Sequence, residues 1–355
     1  MLGCYLACRT QRAPSHFGGV PGENVIGICE DQAAWDEAAA RSFYPFVAYR
    51  YGWLKGWAAA NPRLTPLFVA SMDDKGSCEY VCPLYLDEKE RVLTGAAGIT
   101  PGFVSANVDP HEVVTYLLGE ARRRKVRKIV LQIPPGYSYC NHLLRSGFAL
   151  RRKVSFYVLS LDGIDSFGDF VNLVPNKGKR CDIKLALRGG LASCRGEYSP
   201  EAHRRFAPFL EEMATRHGAA LPDESLYRIV ADDYGPDLLF WVATHGGADV
   251  GSALTLASGG RLWIMWLQGG ERHRHLKVDT FLYAEIVRYA IENGFGAVNF
   301  GTSPIDTPLG DFKRRLGAQL EFHEQYELDL ALSAAIRRCG SHLKGYLRAR
   351  HAHGE

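Results

Sequence analysis

The chain has 355 residues, 46% of them hydrophobic and 23% charged, with a formal net charge of +3. That is a soluble globular composition long enough for two domains. It excludes a uniformly basic nucleic-acid-binding protein, so an anionic ligand has to be met by local clusters of cations.

The nine cysteines (Cys4, Cys8, Cys29, Cys78, Cys82, Cys140, Cys181, Cys194 and Cys339) are odd in number and scattered. They form no pair of CxxC units and no zinc pattern, which predicts free thiols and no metal site. Residues 1–8 are apolar but short and follow no basic segment, so no signal peptide is expected. No stretch is long and apolar enough to span a membrane, and the expected location is the cytoplasm.

Residues 1–27 read as an irregular lead-in. Asp31 is a helix cap for residues 32–38. A second helix is expected over Tyr44–Ala60, where Tyr49, Trp53 and Trp57 recur as a core stripe until Pro62 stops it. A hairpin follows, with strands over 67–72 and 79–86 around Asp73-Asp74-Lys75-Gly76. After a glycine-rich stretch come a helix over 110–125, a strand over 128–133, a short helix over 140–146 and a strand over 151–161. The polar break at 162–166 divides the chain into an N-terminal unit, 28–162, and a C-terminal unit, 163–330.

The second unit repeats the order. A helix near 169–173 meets Pro175, and a basic run spans 177–188. An amphipathic helix over 200–217 carries Phe206, Phe209, Leu210 and Met213 on one face. A helical turn near 226–230 precedes strands over 238–243, 249–256 and 261–268. A helix over 276–293, a strand over 297–300, a loop and a last strand over 322–330 complete it. The tail, 331–355, is expected to be a basic helix. Each unit is thus an α/β (α+β) fold, a mixed central sheet flanked by helices.

Three clusters could carry chemistry. Lys177, Lys179, Arg180 and Lys184 crowd within a few residues of the basic run. Arg272, His273, Arg274, His275 and Lys277 lie between a strand and a helix, where free N–H groups already favour phosphate. The third follows Phe300. Gly301 permits a tight exit from the strand, Thr302, Ser303 and Asp306 offer polar groups, and Phe312 anchors a segment from which Lys313 reaches out. No nucleophile elbow, Walker loop, dinucleotide-binding turn or HExxH helix is present.

Residues 200–317 resemble the acyltransferase domain of the GNAT superfamily in its Fem-type branch (FemAB-like, related to CelD-like acyltransferases). The resemblance rests on Gly259-Gly260-Arg261-Leu262-Trp263, Gly269-Gly270, Asn299-Phe300-Gly301, Phe312-Lys313 and Leu316-Gly317-Ala318. It implies tandem GNAT-like domains and transfer of an acyl group to an amine, without a bound cofactor. It further implies aminoacyl-tRNA as the donor, a peptidoglycan precursor or small-molecule amine as the acceptor, and a monomer or weak oligomer. The turn Arg272–Lys277 has cations where acyl-CoA-binding relatives have glycines, which suits an RNA 3′ end. An acyl-CoA donor is the alternative, and a non-catalytic RNA- or nucleotide-binding tandem GNAT protein is the rival from another class.

On this resemblance the donor is held by Arg272, His273, Arg274, His275, Lys277, Lys177, Lys179 and Arg180. The acceptor pocket is formed by Trp266, Gln268, Gly301, Thr302, Ser303 and Phe312. Lys313 and backbone N–H groups near Gly301 are expected to stabilise developing charge, and Asp306 or Asp311 are candidates for the base.

Overall fold

A computed structural model of the protein describes residues 25–42, 44, 46–95, 110–136, 140–218 and 223–331. The expected lead-in and basic tail lie outside these residues, apart from the first positions of the strand and helix that border them.

The first half runs β1 (Val25–Ile28), α1 (Gln32–Ala40), α2 (Tyr51–Ala60), β2 (Leu64–Met72), β3 (Cys78–Asp87), β4 (Val92–Thr94), α3 (Pro110–Arg123), β5 (Lys128–Ile133), α4 (Cys140–Arg145) and β6 (Ala149–Ser160). The second runs α5 (Phe167–Leu173), α6 (Lys177–Arg188), β7 (Leu191–Gly196), α7 (Pro200–His217), α8 (Glu224–Tyr234), β8 (Leu238–His245), β9 (Ala248–Ser258), β10 (Arg261–Gly269), α9 (Val278–Glu292), β11 (Ala297–Thr302), α10 (Pro308–Arg315) and β12 (Gln319–Asp329).

Local chemistry explains most boundaries. Asp31 accepts from the amides of Ala33 and Ala34 at the start of α1. Ser199 caps α7, Pro200 opens it, and Gly218 ends it at φ +61°. The helix expected from Tyr44 begins only at Tyr51, after a 3₁₀ turn over Val47–Tyr49. Its first amide is taken by Asp36 of α1 at 2.8 Å, a cap that a scan of neighbouring residues does not reveal. The short strands β1, β4 and β7 carry too little pattern to be predicted.

Among the described residues the strands form one twelve-stranded sheet in the order β1-β2-β3-β4-β5-β12-β6-β11-β10-β9-β8-β7. Two pairs in it are parallel, β4 with β5 and β10 with β11. Each is joined by a helix, α3 or α9 respectively, as a parallel pair requires. The last strand of each half lies beside the other half's parallel pair: β6 pairs with β11, β12 pairs with β5, and the two pair with each other.

Helices cover the sheet as two cores. One joins α1–α4 to Phe206, Leu210, Tyr227, Val230 and Trp263 of the second half. The other lies under α5, α6, α9 and α10 around Ile183, Leu282, Phe300 and Leu316. Across the first core α2 meets α8. Gly52 and Gly56 allow the approach, because a Cβ on Gly52 would fall 2.2 Å from Asp233 and one on Gly56 3.0 Å from Leu226. Arg50 joins the same seam through an ion pair with Asp233 at 3.3 Å and a position 4.2 Å above the Tyr234 ring. Among the described residues no helix is long and apolar enough to cross a membrane.

Candidate active site

The site forms where β10 and β11 part. They are in register at Arg261↔Ala297, Leu262↔Val298 and Trp263↔Asn299, and then pair no further. β10 carries an irregularity between Ile264 and Trp266. β11 carries one between Asn299 and Thr302. Gly301 has φ +74°, and a Cβ there would sit 3.3 Å from the Ile264 carbonyl. Any L-residue at this position is strained. The Gly301 amide donates to Asn299 Oδ1 at 2.8 Å. Of the backbone N–H groups near Gly301, the one on Gly301 itself is therefore committed to a side chain.

The segment after Phe300, expected as a loop, contains the helix α10. Thr307 caps it through the Gly310 amide at 3.2 Å, and Pro308 occupies its first position. These are ordinary start signals that were present in the sequence. Gly310 sits under the Tyr157 hydroxyl, where a Cβ would be only 2.4 Å from that oxygen.

One turn later the helix delivers Lys313 inward, and its residue is 3% exposed. Nζ donates to the Thr302 carbonyl at 3.1 Å and to Ser303 Oγ at 2.9 Å. The Ser303 carbonyl is in turn fixed by Ser155 Oγ of β6 at 2.6 Å. Burial lowers the Lys313 pKa to about 7, because a charged ammonium loses its hydration there. The amine is therefore divided between its two protonation states near neutral pH, which is what proton transfer at that pH requires.

Neither candidate base lies beside it. Asp311 points to the outer face of α10, where it pairs with Arg314 at 3.5 Å and Arg315 at 2.6 Å. Asp306 is exposed on the turn before the helix.

At the other end of the split, a 3₁₀ turn over Glu271–Leu276 leads through Lys277, at φ +60°, into α9. A cleft of about 140 Å³ lies here, lined by Lys179, Arg274, Lys277, Gly270, Thr280 and Phe312 among others. Phe312 links it to the Lys313 helix, with the Lys179 ammonium 4.5 Å above its ring. The cations are less free than expected. Asp182 pairs with Lys179 at 2.9 Å and with Lys277 at 3.7 Å. Glu271 pairs with Arg274 at 2.8 Å.

The remaining candidates are dispersed. Arg272 and His273 line a neighbouring open cleft with Phe209 and Glu212, and His275 is exposed. Lys177 lies on the outer face of α6, while Arg180 is engaged by the Val174 carbonyl at 2.9 Å. Of the acceptor candidates, Gly301, Thr302, Ser303 and Phe312 gather around Lys313. Trp266 packs instead in the first core, 5.6 Å from the Tyr227 ring. Gln268 donates to the Gly269 carbonyl. Tyr157, Ser155 and Asp182, none of them a site candidate in the sequence, come to the site only through the fold, and Asn299, a motif residue there, gains a place in the site.

Residues 179–314 match the family model of the acetyltransferase (GNAT) domain. The fold resembles that of FemX, at TM-score 0.66 and 13% identity over 86% of this chain and 98% of that one. It also resembles the C-terminal domain of a protein assigned as a lysylphosphatidylglycerol synthetase from Agrobacterium fabrum, at 0.58 and 13% over 88% and 96%. A tandem GNAT protein from the clavulanic acid biosynthesis pathway aligns at 0.55 and 16% over 86% and 98%. No curated protein matches in sequence. At these identities the structural likenesses establish the tandem fold.

Proposed function

We propose, for a chain that carries a GNAT domain in a Fem-like tandem fold and is by that domain an acyltransferase, that it transfers an aminoacyl group from aminoacyl-tRNA to an amine acceptor. The observation that carries this reading is Lys313: a lysine buried at the mouth of the split, with a pKa lowered to about 7, one ring away from a cationic cleft at the start of α9. Lysines with so lowered a pKa gather at catalytic sites, which supports chemistry over binding alone.

In this reading the terminal phosphates of the donor lie against Arg274, Lys277, Lys179 and the first turn of α9. The acceptor amine attacks the ester carbon, and the carbonyl electron pair moves to oxygen. Neutral Lys313 takes the proton from the attacking nitrogen. The electron pair then returns, the C–O bond to the ribose breaks, and Lys313 passes the proton to the departing oxygen. Charged tRNA supplies the donor in the cytoplasm.

The second reading, an acyl-CoA donor, is favoured by the match to an acetyltransferase domain and uses the same cleft for a pyrophosphate. The paired cations in a turn without glycines favour RNA over it.

The test is transfer of label from charged tRNA to a panel of amine acceptors. Label in the acceptor, lost in Lys313→Ala, is the expected result. Saturable acetyl-CoA turnover with no use of charged tRNA overturns the donor assignment. For RNA binding, replacing Lys179, Arg274 and Lys277 by Ala is expected to flatten the slope of log Kd against log salt by about 1 for each phosphate contact removed. An unchanged slope removes these residues from the RNA path.

A further inference from the structure

The side chain of Asn299 is fully buried, at 0% exposure. Its Oδ1 is occupied by the Gly301 amide at 2.8 Å, but its Nδ2 has no hydrogen-bond partner among the described residues. A buried donor left unmet lowers stability, and such a group in a folded protein calls for an explanation.

The position of this donor is specific. Accepting from the residue two places ahead turns the carboxamide toward the C-terminal end of β11. That end is where β10 stops pairing with it, Trp263↔Asn299 being the last position in register. Lys313 is at the same end but reaches it from the opposite face of the sheet, where α10 and Tyr157 pack; its Nζ is 4.0 Å from where a Cβ of Gly301 would be.

A second observation points the same way. Trp263, beside Asn299 on the parallel neighbour, is 3% exposed, and its Nε1 is also without a partner among the described residues. Parallel neighbours in register share a face of the sheet, so two N–H donors face one side with no acceptor for either. The polar groups nearby are spent. His323 uses Nδ1 with Gln132 and Nε2 with the Tyr44 hydroxyl, both at 3.2 Å. The Tyr44 hydroxyl donates to Glu321 at 2.8 Å. Unmet donors without an acceptor fit an oxygen that carries negative charge, and the reaction generates one at this place.

We propose that Asn299 is a catalytic residue whose Nδ2–H holds the carbonyl oxygen of the acyl group, in the role for which the Gly301 amide is not free. The role rests on the acyl-transfer reading above and applies to an ester or a thioester donor alike. As the amine nitrogen bonds to the acyl carbon, the carbonyl pair moves onto the oxygen held by Asn299. It returns as the bond to the leaving oxygen or sulfur breaks.

The test compares Asn299→Asp and Trp263→Phe with the wild-type chain, using the donor that the wild type turns over. Asp keeps the acceptor for Gly301 and removes the donor. Its kcat is expected to fall about 10²–10³-fold, as for loss of one oxyanion donor, with KM changed little. Relative to wild type it regains activity as pH falls, because the protonated carboxyl can donate again. Because protonation also relieves the cost of burying a carboxylate, the fold of the variant is followed by circular dichroism over the same pH range, and a recovery of kcat without a change in the spectrum is the expected result. Trp263→Phe, which keeps the ring packing, is expected to lose less than Asn299→Asp.

A carbonyl-stretch measurement on the wild-type chain keeps the proposal testable if the Asp variant does not fold. The probe is a ¹³C-carbonyl, amide-linked aminoacyl-RNA minihelix, or the matching acyl-CoA ketone analogue. A shift to lower frequency on binding is expected. An unshifted stretch, or variants with undiminished kcat, overturns the role of Asn299 alone. A wild-type chain that transfers no acyl group from either donor overturns the function and this role together.

Discussion

Lys313 concentrates the energetics of the site in one side chain. Unfolded, a lysine keeps its proton up to about pH 10.4; folded, Lys313 keeps it only to about 7. Between these values the unfolded chain binds the extra proton, so stability rises with pH across that window and is lowest below pH 7. The full penalty is on the order of 5 kcal/mol below pH 7. Lys313→Met is therefore expected to abolish transfer while raising the midpoint of thermal unfolding, with a larger gain at pH 6 than at pH 9. A destabilised Met variant would show instead that the bonds to Thr302 and Ser303 outweigh desolvation. The proton-transfer role adds a kinetic expectation: kcat rises through an apparent pKa near 7, and a flat profile from pH 6 to 8 contradicts it. Lys313 was legible in the sequence as a candidate. Its protonation was not, because burial depends on Tyr157, Ser303 and Thr302 closing over it.

At the scale of elements, α10 shows how a glycine can serve a neighbour. Ala is better than Gly in a helix by about 1 kcal/mol. At position 310, however, a Cβ would meet the Tyr157 hydroxyl at 2.4 Å and the Pro304 carbonyl at 2.7 Å. Overpacking of this kind costs about 1–3 kcal/mol, so it outweighs propensity. Gly310→Ala is expected to destabilise the chain and to lower kcat by moving Lys313, and Tyr157→Phe in the same chain is expected to restore part of both. Unchanged unfolding and turnover in Gly310→Ala would show that α10 tolerates the shift. Thr307-Pro308 already marked this helix in the sequence, but its short length and the preceding Gly301-Thr302-Ser303-Pro304 made a loop the natural reading. The strand split has a similar history. Asn299 and Gly301 are visible as residues, whereas the hydrogen bond between them appears only once β11 loses its register.

Across the whole molecule, the exchange of β6 and β12 between the two parallel pairs makes the halves depend on each other. The expected boundary at 162–166 falls in the turn between β6 and α5, yet the sheet runs through both halves. Cooperativity should then be felt at the α2–α8 seam, far from Lys313. Gly52→Ala places a Cβ 2.2 Å from Asp233, and the gain in propensity again does not cover the clash. A loss of about 1–2 kcal/mol is expected, with one unfolding transition followed by both tryptophan fluorescence and circular dichroism. Two separated transitions would mean that the halves unfold independently.

The sequence by itself determined the order of the major helices and strands, the mixed α/β class and the resemblance of its second half to a Fem-type acyltransferase. Those follow from local periodicity, caps and a few motif residues, which act over short chain distances. Only the tertiary structure decided which groups meet at the site. Strand exchange brings Tyr157 and Ser155 of β6 against α10, Asp182 crosses to Lys277, and Asp311 turns outward to arginines. Such pairings depend on register and on contacts far apart in the chain, and no local pattern encodes them. After Phe300, it is the parting of β10 from β11 that buries Lys313 and leaves Asn299 with a donor to offer.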